Sequence, residues 1–105
     1  MTKVKHSKAA VAFTRKVGDN VKFYRINHNL SSEYTDKYGR ISQEKLAELS
    51  NLSYSTISRV EAAHVDQAVS IASVFEIAKA LNIPPYAFFL EKPIKNPPKD
   101  PFENK

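Results

Sequence analysis

Between Ser42 and Glu61 the chain reads SQEKLAELSNLSYSTISRVE, and this segment restricts the fold more than any other. Ser42 precedes Gln43-Glu44-Lys45, where a hydroxyl can take up an orphan N–H at a helix start, although Lys45 stands where a capping box would want Glu or Gln. Leu46, Ala47 and Leu49 give that helix its apolar face, and Ser50 is a small residue one turn after Leu46. Asn51 tolerates the left-handed backbone of a tight turn, which β-branched residues do not. Ser53 then offers a cap for a further helix from Tyr54 to about Ala62, buried through Ile57 and Val60. Two short helices joined by so tight a turn pack near perpendicular. Ala47 is small where they cross, Leu46, Leu52, Ile57 and Val60 fill the wedge, and Leu49 packs at its margin. One face of the second helix is left open.

The flanks supply helices on both sides. Val17, Val21 and Tyr24 recur at helical spacing, with Phe23, Ile26 and Leu30 as an offset stripe, so the reading predicts helix 1 over Arg15–Leu30. Residues 1–14 read as a mobile basic arm, within which Ser7 offers a cap for a helix through Ala9–Phe13. Ser31–Arg40 is polar, contains a Gly, has no sustained apolar period and reads as a loop inserted between helices 1 and 2. Ser70 starts helix 4, whose Ile71, Val74, Phe75, Ile77, Ala78 and Leu81 repeat at three and four residues. Pro84-Pro85 fits only a first turn, which leaves Tyr86–Leu90 at most a short fifth helix. Four prolines in residues 91–105 argue for a disordered tail. The expected organisation is an arm at 1–14, an all-α domain at 15–90 with its insert at 31–40, and a Pro-rich tail at 91–105.

Composition removes several function classes. A chain of 105 residues, 42% of them apolar, suits one globular domain. Cysteine is absent, which excludes disulfides, thiolate metal sites and cysteine nucleophiles. No run approaches the ~18 apolar residues of a membrane span, and Ala9–Phe13 is too short for a secretory signal. A soluble, cytosolic protein is expected, so the patterns Asn29-Leu30-Ser31 and Asn51-Leu52-Ser53 are chance matches to a glycosylation acceptor. His6, His28 and His64 share no metal-ligand spacing. With no Gly-rich phosphate loop or nucleophile elbow either, the expectation is a protein without enzymatic activity, metal, cofactor or small-molecule ligand. The net charge of +5 is uneven: residues 1–30 carry seven Lys/Arg against Asp19, whereas 41–90 carry three against five acidic residues. A basic balance of this kind favours polyanion partners.

The segment Ser42–Glu61 resembles the phage-repressor-like helix-turn-helix regulators, the Cro/repressor or XRE type, through the pattern S-Q-x-x-L-A-x-x-x-x-L-S-x-x-x-I-S-x-x-E. The resemblance extends to Val17–Ile26 and to Ser70–Phe89, which look like the family's first, fourth and fifth helices. It implies a five-helix, all-α fold and a transcriptional regulator that binds double-stranded DNA as a homodimer on a near-palindromic operator. Tyr54, Ser55, Ser58 and Arg59 would face the bases in a major groove, Arg59 being suited to guanine O6 and N7. Gln43 and Thr56 would meet phosphates, and Arg25, Lys37 and Arg40 are further phosphate candidates. Arg25 and Glu61 match an ion pair that orients the recognition helix. Tyr86, Phe88 and Phe89 belong with the core, yet lie where small family members pair and are the dimer-interface candidates. Size and a phenylalanine-ended fifth helix are similar to phage or plasmid repressors and to controllers of restriction–modification systems. A protein-interaction module of antitoxin type, with DNA contact secondary, is the alternative.

The chain departs from the family pattern at three places. It carries the insert at Ser31–Arg40, has Asn51 where a turn glycine is usual, and follows Glu61 with Ala62-Ala63-His64-Val65-Asp66 instead of Gly and basic residues. Non-specific attraction to DNA would then come from Lys3, Lys5, Lys8, Arg15, Lys16, Lys22, Arg25, Lys37 and Arg40.

Overall fold

A computed structural model describes residues 6–27, 35–37, 39–62, 70–94, 98 and 101–102. The expected helical end at Leu30, the arm lysines Lys3 and Lys5, half of the insert including Tyr38, and the stretch Ala63–Asp66 lie outside the described residues. Four α-helices follow in order: α1 (Lys8–Ile26), α2 (Gln43–Ser50), α3 (Tyr54–Ala62) and α4 (Ile71–Leu81); a 3-10 helix at Pro85–Phe89 follows α4. The described residues form no strand. The all-α expectation holds, with the fifth helix reduced to one tight 3-10 segment opened by Pro85.

Helix α1 is longer at its start than the reading from Arg15. The hydroxyl of Ser7 accepts from the Ala10 N–H at 3.1 Å, so the cap is used and the helix runs unbroken from Lys8 through the residues assigned to the arm. At its far end the Asn27 backbone N–H and side-chain amide both donate to the Phe23 carbonyl, at 2.8 and 3.0 Å.

Helices α2 and α4 end alike. Asn51 and Asn82 each take a left-handed backbone, with φ of 57° in both. At the first, Leu52 N–H donates to Ala47 O and Asn51 N–H to Glu48 O; at the second, Ile83 N–H donates to Ala78 O and Asn82 N–H to Lys79 O. This is the Schellman arrangement, in which the two bonds satisfy carbonyls that a helix end would orphan.

The core gathers Val21 and Tyr24 of α1, Leu46 of α2, Ile57 and Val60 of α3, and Ile77 and Leu81 of α4, together with Ile41, Ile83 and Phe88. Two members of the predicted α4 stripe stay out: Ile71 is 82% exposed and Phe75 42% exposed. Both lie in the first half of α4, which the core covers less fully than its second half.

Tyr24 organises one side of the core. Its ring meets that of Phe88 edge-to-face at 5.4 Å, and its hydroxyl accepts from the Ile94 N–H at 2.7 Å. The expectation of a disordered tail is corrected at these contacts. Ile94 and Phe102 pack against the core, and Phe102 also meets Phe75 edge-to-face at 5.7 Å. The prolines forbid a helix, but they do not prevent isolated apolar side chains from docking.

Asn20 fastens the 3-10 helix to α1. Buried to 2% exposure, its amide nitrogen donates to Phe88 O at 2.8 Å and to Leu90 O at 2.9 Å. Replacing Asn20 with Ala leaves both carbonyls without that donor, which costs about 1–3 kcal/mol. In urea the unfolding midpoint of Asn20→Ala should fall with the slope unchanged; an unaltered midpoint would show the amide to be dispensable.

Candidate nucleic-acid interface

The exposed face of α3 is built by a compact turn. After Asn51 reverses the chain, Ser53 begins α3: its hydroxyl accepts from the Thr56 N–H at 3.1 Å and lies 2.8 Å from the Thr56 hydroxyl and 3.1 Å from that of Ser55. Ile57 and Val60 turn inward, which sends the alternate positions out. Tyr54, Ser55 and Arg59 are exposed, Thr56 and Ser58 half-buried. Arg59 lies one turn beyond Ser55, with a guanidinium nitrogen 3.5 Å from its hydroxyl, a long and weak contact. Among the described residues no carboxylate pairs with Arg59.

The far end of α3 is held by charge. Arg25 Nε donates to Glu61 Oε2 at 2.6 Å and a terminal nitrogen of Arg25 donates to Oε1 at 2.9 Å, a two-pronged ion pair whose side chains are 12% and 5% exposed. The other terminal nitrogen donates to Ile41 O at 2.7 Å, and Ile41 N–H returns a longer bond to Arg25 O at 3.4 Å. Gln43, the first residue of α2, donates its amide to Glu61 Oε1 at 3.1 Å. Glu61 therefore receives three donors from α1 and α2, and the tilt of α3 follows from their placement.

The structure brings together Arg25, Gln43 and Glu61, and separately Tyr54, Ser55, Thr56, Ser58 and Arg59. With three N–H groups engaged and little exposure, Arg25 is placed to orient α3 more than to meet a phosphate. Gln43 uses one of its two amide hydrogens internally. Lys37 and Arg40 are exposed on the chain before α2, where Arg40 lies 3.7 Å from the Asp36 carboxylate in a turn through Gly39 at φ 77°. Lys8, Arg15 and Lys22, exposed on α1, recur every seven residues and so share one side of that helix, opposite Val17.

The dimer-interface candidates divide. Phe88 is fully buried against Tyr24 and is removed from that set, since a ring with no exposed surface cannot meet a partner. Tyr86 is 57% and Phe89 41% exposed. Sequence reasoning missed two residues on which the site depends. Ile41 is fully buried next to Arg25 but stands alone among polar residues, where no period can reveal it. Asn20 is an amide inside an otherwise well-formed helix, a locally unfavourable choice that was the available signal.

Three comparisons bear on this geometry. Residues 39–88 match the model of the helix-turn-helix family. No curated protein is significantly similar to the sequence. Among solved structures, the chain is similar to the crystal structure of a hypothetical transcription factor, NHTF, from Neisseria, with 21% identity, a TM-score of 0.59, and coverage of 85% of this chain and 87% of that one. At that identity the likeness is one of fold.

Removing one partner from the ion pair strands a poorly hydrated charge. Glu61→Ala should lower stability by about 3–5 kcal/mol, whereas the apolar double variant Arg25→Met/Glu61→Leu should recover most of that loss. Urea unfolding followed by circular dichroism checks both, and equal losses in the two variants would mean that packing, not charge, sets the cost.

Proposed function

We propose that this chain is a sequence-specific DNA-binding transcriptional regulator of the helix-turn-helix kind, acting as a homodimer on a near-palindromic operator, a reading supported by the match of residues 39–88 to the helix-turn-helix model. The observation that carries the reading is the α3 edge itself. Tyr54, Ser55 and Arg59 are exposed with no carboxylate among the described residues to occupy Arg59, while the helix that presents them is clamped at Glu61. A fixed helix with exposed donors on its outer face is what readout of base edges in a major groove requires.

In this reading Arg59 meets a guanine through O6 and N7, and Ser55 and Ser58 supply adaptable hydroxyls to neighbouring bases. Tyr54 sets its ring on a thymine methyl or its hydroxyl on a phosphate. Thr56 and the second amide hydrogen of Gln43 take phosphates beside the start of α2, with Lys37 and Arg40 on the adjoining chain. The outward cations of α1 add to the attraction for the polyanion without reading sequence. A single α3 spans few base pairs, so two copies on half-sites about one helical turn apart give the discrimination that a regulator needs.

Selection of bound sequences from a random DNA pool, followed by the mass of the complex, tests this directly. The expected result is a near-palindrome bound by two chains with an affinity that falls steeply with salt; equal, weak binding to every sequence would overturn it. Arg59→Ala should lower discrimination at one base pair per half-site by about 1–3 kcal/mol with helical content intact. A uniform loss across all sequences would reassign Arg59 to the phosphate backbone.

A further inference from the structure

The Pro-rich tail is tied to α1 in step with that helix. Asn20 donates to the Leu90 carbonyl at 2.9 Å, and one turn further along α1 the Tyr24 hydroxyl accepts from the Ile94 N–H at 2.7 Å. The two ties lie about 6 Å apart along the helix, so the tail advances beside α1 toward Arg25, with its slack taken up in bends at residues 90–92. A second anchor is on α4, where the ring of Phe102 meets Phe75 edge-to-face at 5.7 Å. Around these anchors Glu91, Lys92, Pro93 and Pro98 are exposed, so the tail is held at points and not along its length.

Those points matter to the rest of the domain. Tyr24 is 1% exposed, and lifting the tail would take from its hydroxyl the N–H that meets it inside the core. Phe75, 42% exposed even with Phe102 against it, would be uncovered further. The tail also joins α1 to α4, two helices that meet each other less than each meets the 3-10 helix between them. Tyr24 adjoins Arg25, whose guanidinium fixes α3 through Glu61. A little over one turn of α1 therefore carries the tail, through Asn20 and Tyr24, and the reading helix, through Arg25.

We propose that the tail is a releasable strap. Docked through Ile94 and Phe102, it holds the pose in which α3 reads DNA; lifted, it lets that pose relax, so DNA affinity depends on whether the tail is down. The holding forces are few. A hydrogen bond, a part-buried isoleucine and an aromatic contact stand against the entropy of ordering the tail, which places the docked and lifted states close in free energy. Two states that close respond to whatever favours one of them. The coupling is reciprocal: bound DNA tightens the strap by the factor by which the strap tightens DNA. The inference rests on the proposed regulator for its DNA readout, whereas the link between tail and α3 belongs to the chain alone.

Amide hydrogen exchange read by NMR on the full chain, with and without the DNA sequence selected from the random pool, tests the strap. The wild type is compared with Tyr24→Phe, which removes only the hydroxyl, with Phe102→Ala, and with Pro98→Ala at an exposed tail position. The Ile94 amide should be protected in the wild type and Pro98→Ala, and should lose about 10-fold in protection in the other two. In those two, exchange at Val60 and Glu61 of α3 should quicken while Leu81 of α4 stays unchanged, and DNA affinity should fall on the order of 5–10-fold. Bound DNA should slow Ile94 exchange in the wild type by a matching factor. An unprotected wild-type Ile94 amide, or a loss of protection that leaves α3 and affinity untouched, overturns the proposal. So does an equal rise at Leu81, which marks a general loss of stability, and a gain in affinity overturns it in favour of an inhibitory tail. If no sequence is selected, faster exchange at Val60 and Glu61 in Phe102→Ala keeps the strap and removes the regulator; one selected sequence bound equally by all four proteins does the reverse.

Discussion

The structure depends on one directional interaction, the ion pair between Arg25 and Glu61. Hydrophobic burial is the larger force, but it is tolerant of angle: Ile57 and Val60 would be buried nearly as well with α3 rotated a few degrees. A two-pronged guanidinium–carboxylate contact is not tolerant in this way. With Gln43 added to the same carboxylate, the ends of α1, α2 and α3 meet at one anion. Dehydrating two charges offsets much of their attraction, so the pair is better understood as setting the orientation of α3 than as a source of stability. What the outer face of α3 can do follows from that orientation.

The remaining order is written in small polar residues at helix boundaries. Each of the four α-helices begins with a serine whose hydroxyl accepts from a backbone N–H three residues on: Ser7, Ser42, Ser53 and Ser70. Two of them end with an asparagine in the left-handed region. These residues suit boundaries because their short side chains compete with helical hydrogen bonding inside a helix and satisfy orphan groups at its ends. Short helices of eight and nine residues, too brief to be stable alone, are thereby cut to length on both sides of the turn at Asn51.

The elements legible in the sequence were those with redundant signals. For α2, the turn and α3, the cap, the apolar spacing and the turn residue agree, and the outward positions of α3 follow by elimination. The Arg25–Glu61 contact was reached only through resemblance, since nothing in local spacing joins residues so far apart. Periodicity failed where one face of a helix is only partly covered: Ile71 and Phe75 fit the stripe of α4 but remain exposed. It failed also where a residue acts alone. Ile41, Ile94 and Phe102 sit in segments without a period, and their burial is decided by what stands opposite them in space. Phe88 and Phe89 show the limit most plainly, as adjacent identical residues of which one is core and the other surface.

The clasp between Arg25 and Ile41 has a bearing on how this domain can vary. Each backbone contributes one acceptor to the other residue, so the chain leaving α1 and the chain entering α2 are stitched together at the root of the connection between them. The two ends of the connection are thereby held together at Arg25 and Ile41. Doubling such a loop costs only about 0.6 kcal/mol in closure entropy. A change in its length is therefore absorbed at the clasp, and the placement of α3 against α1 and α2 does not depend on it.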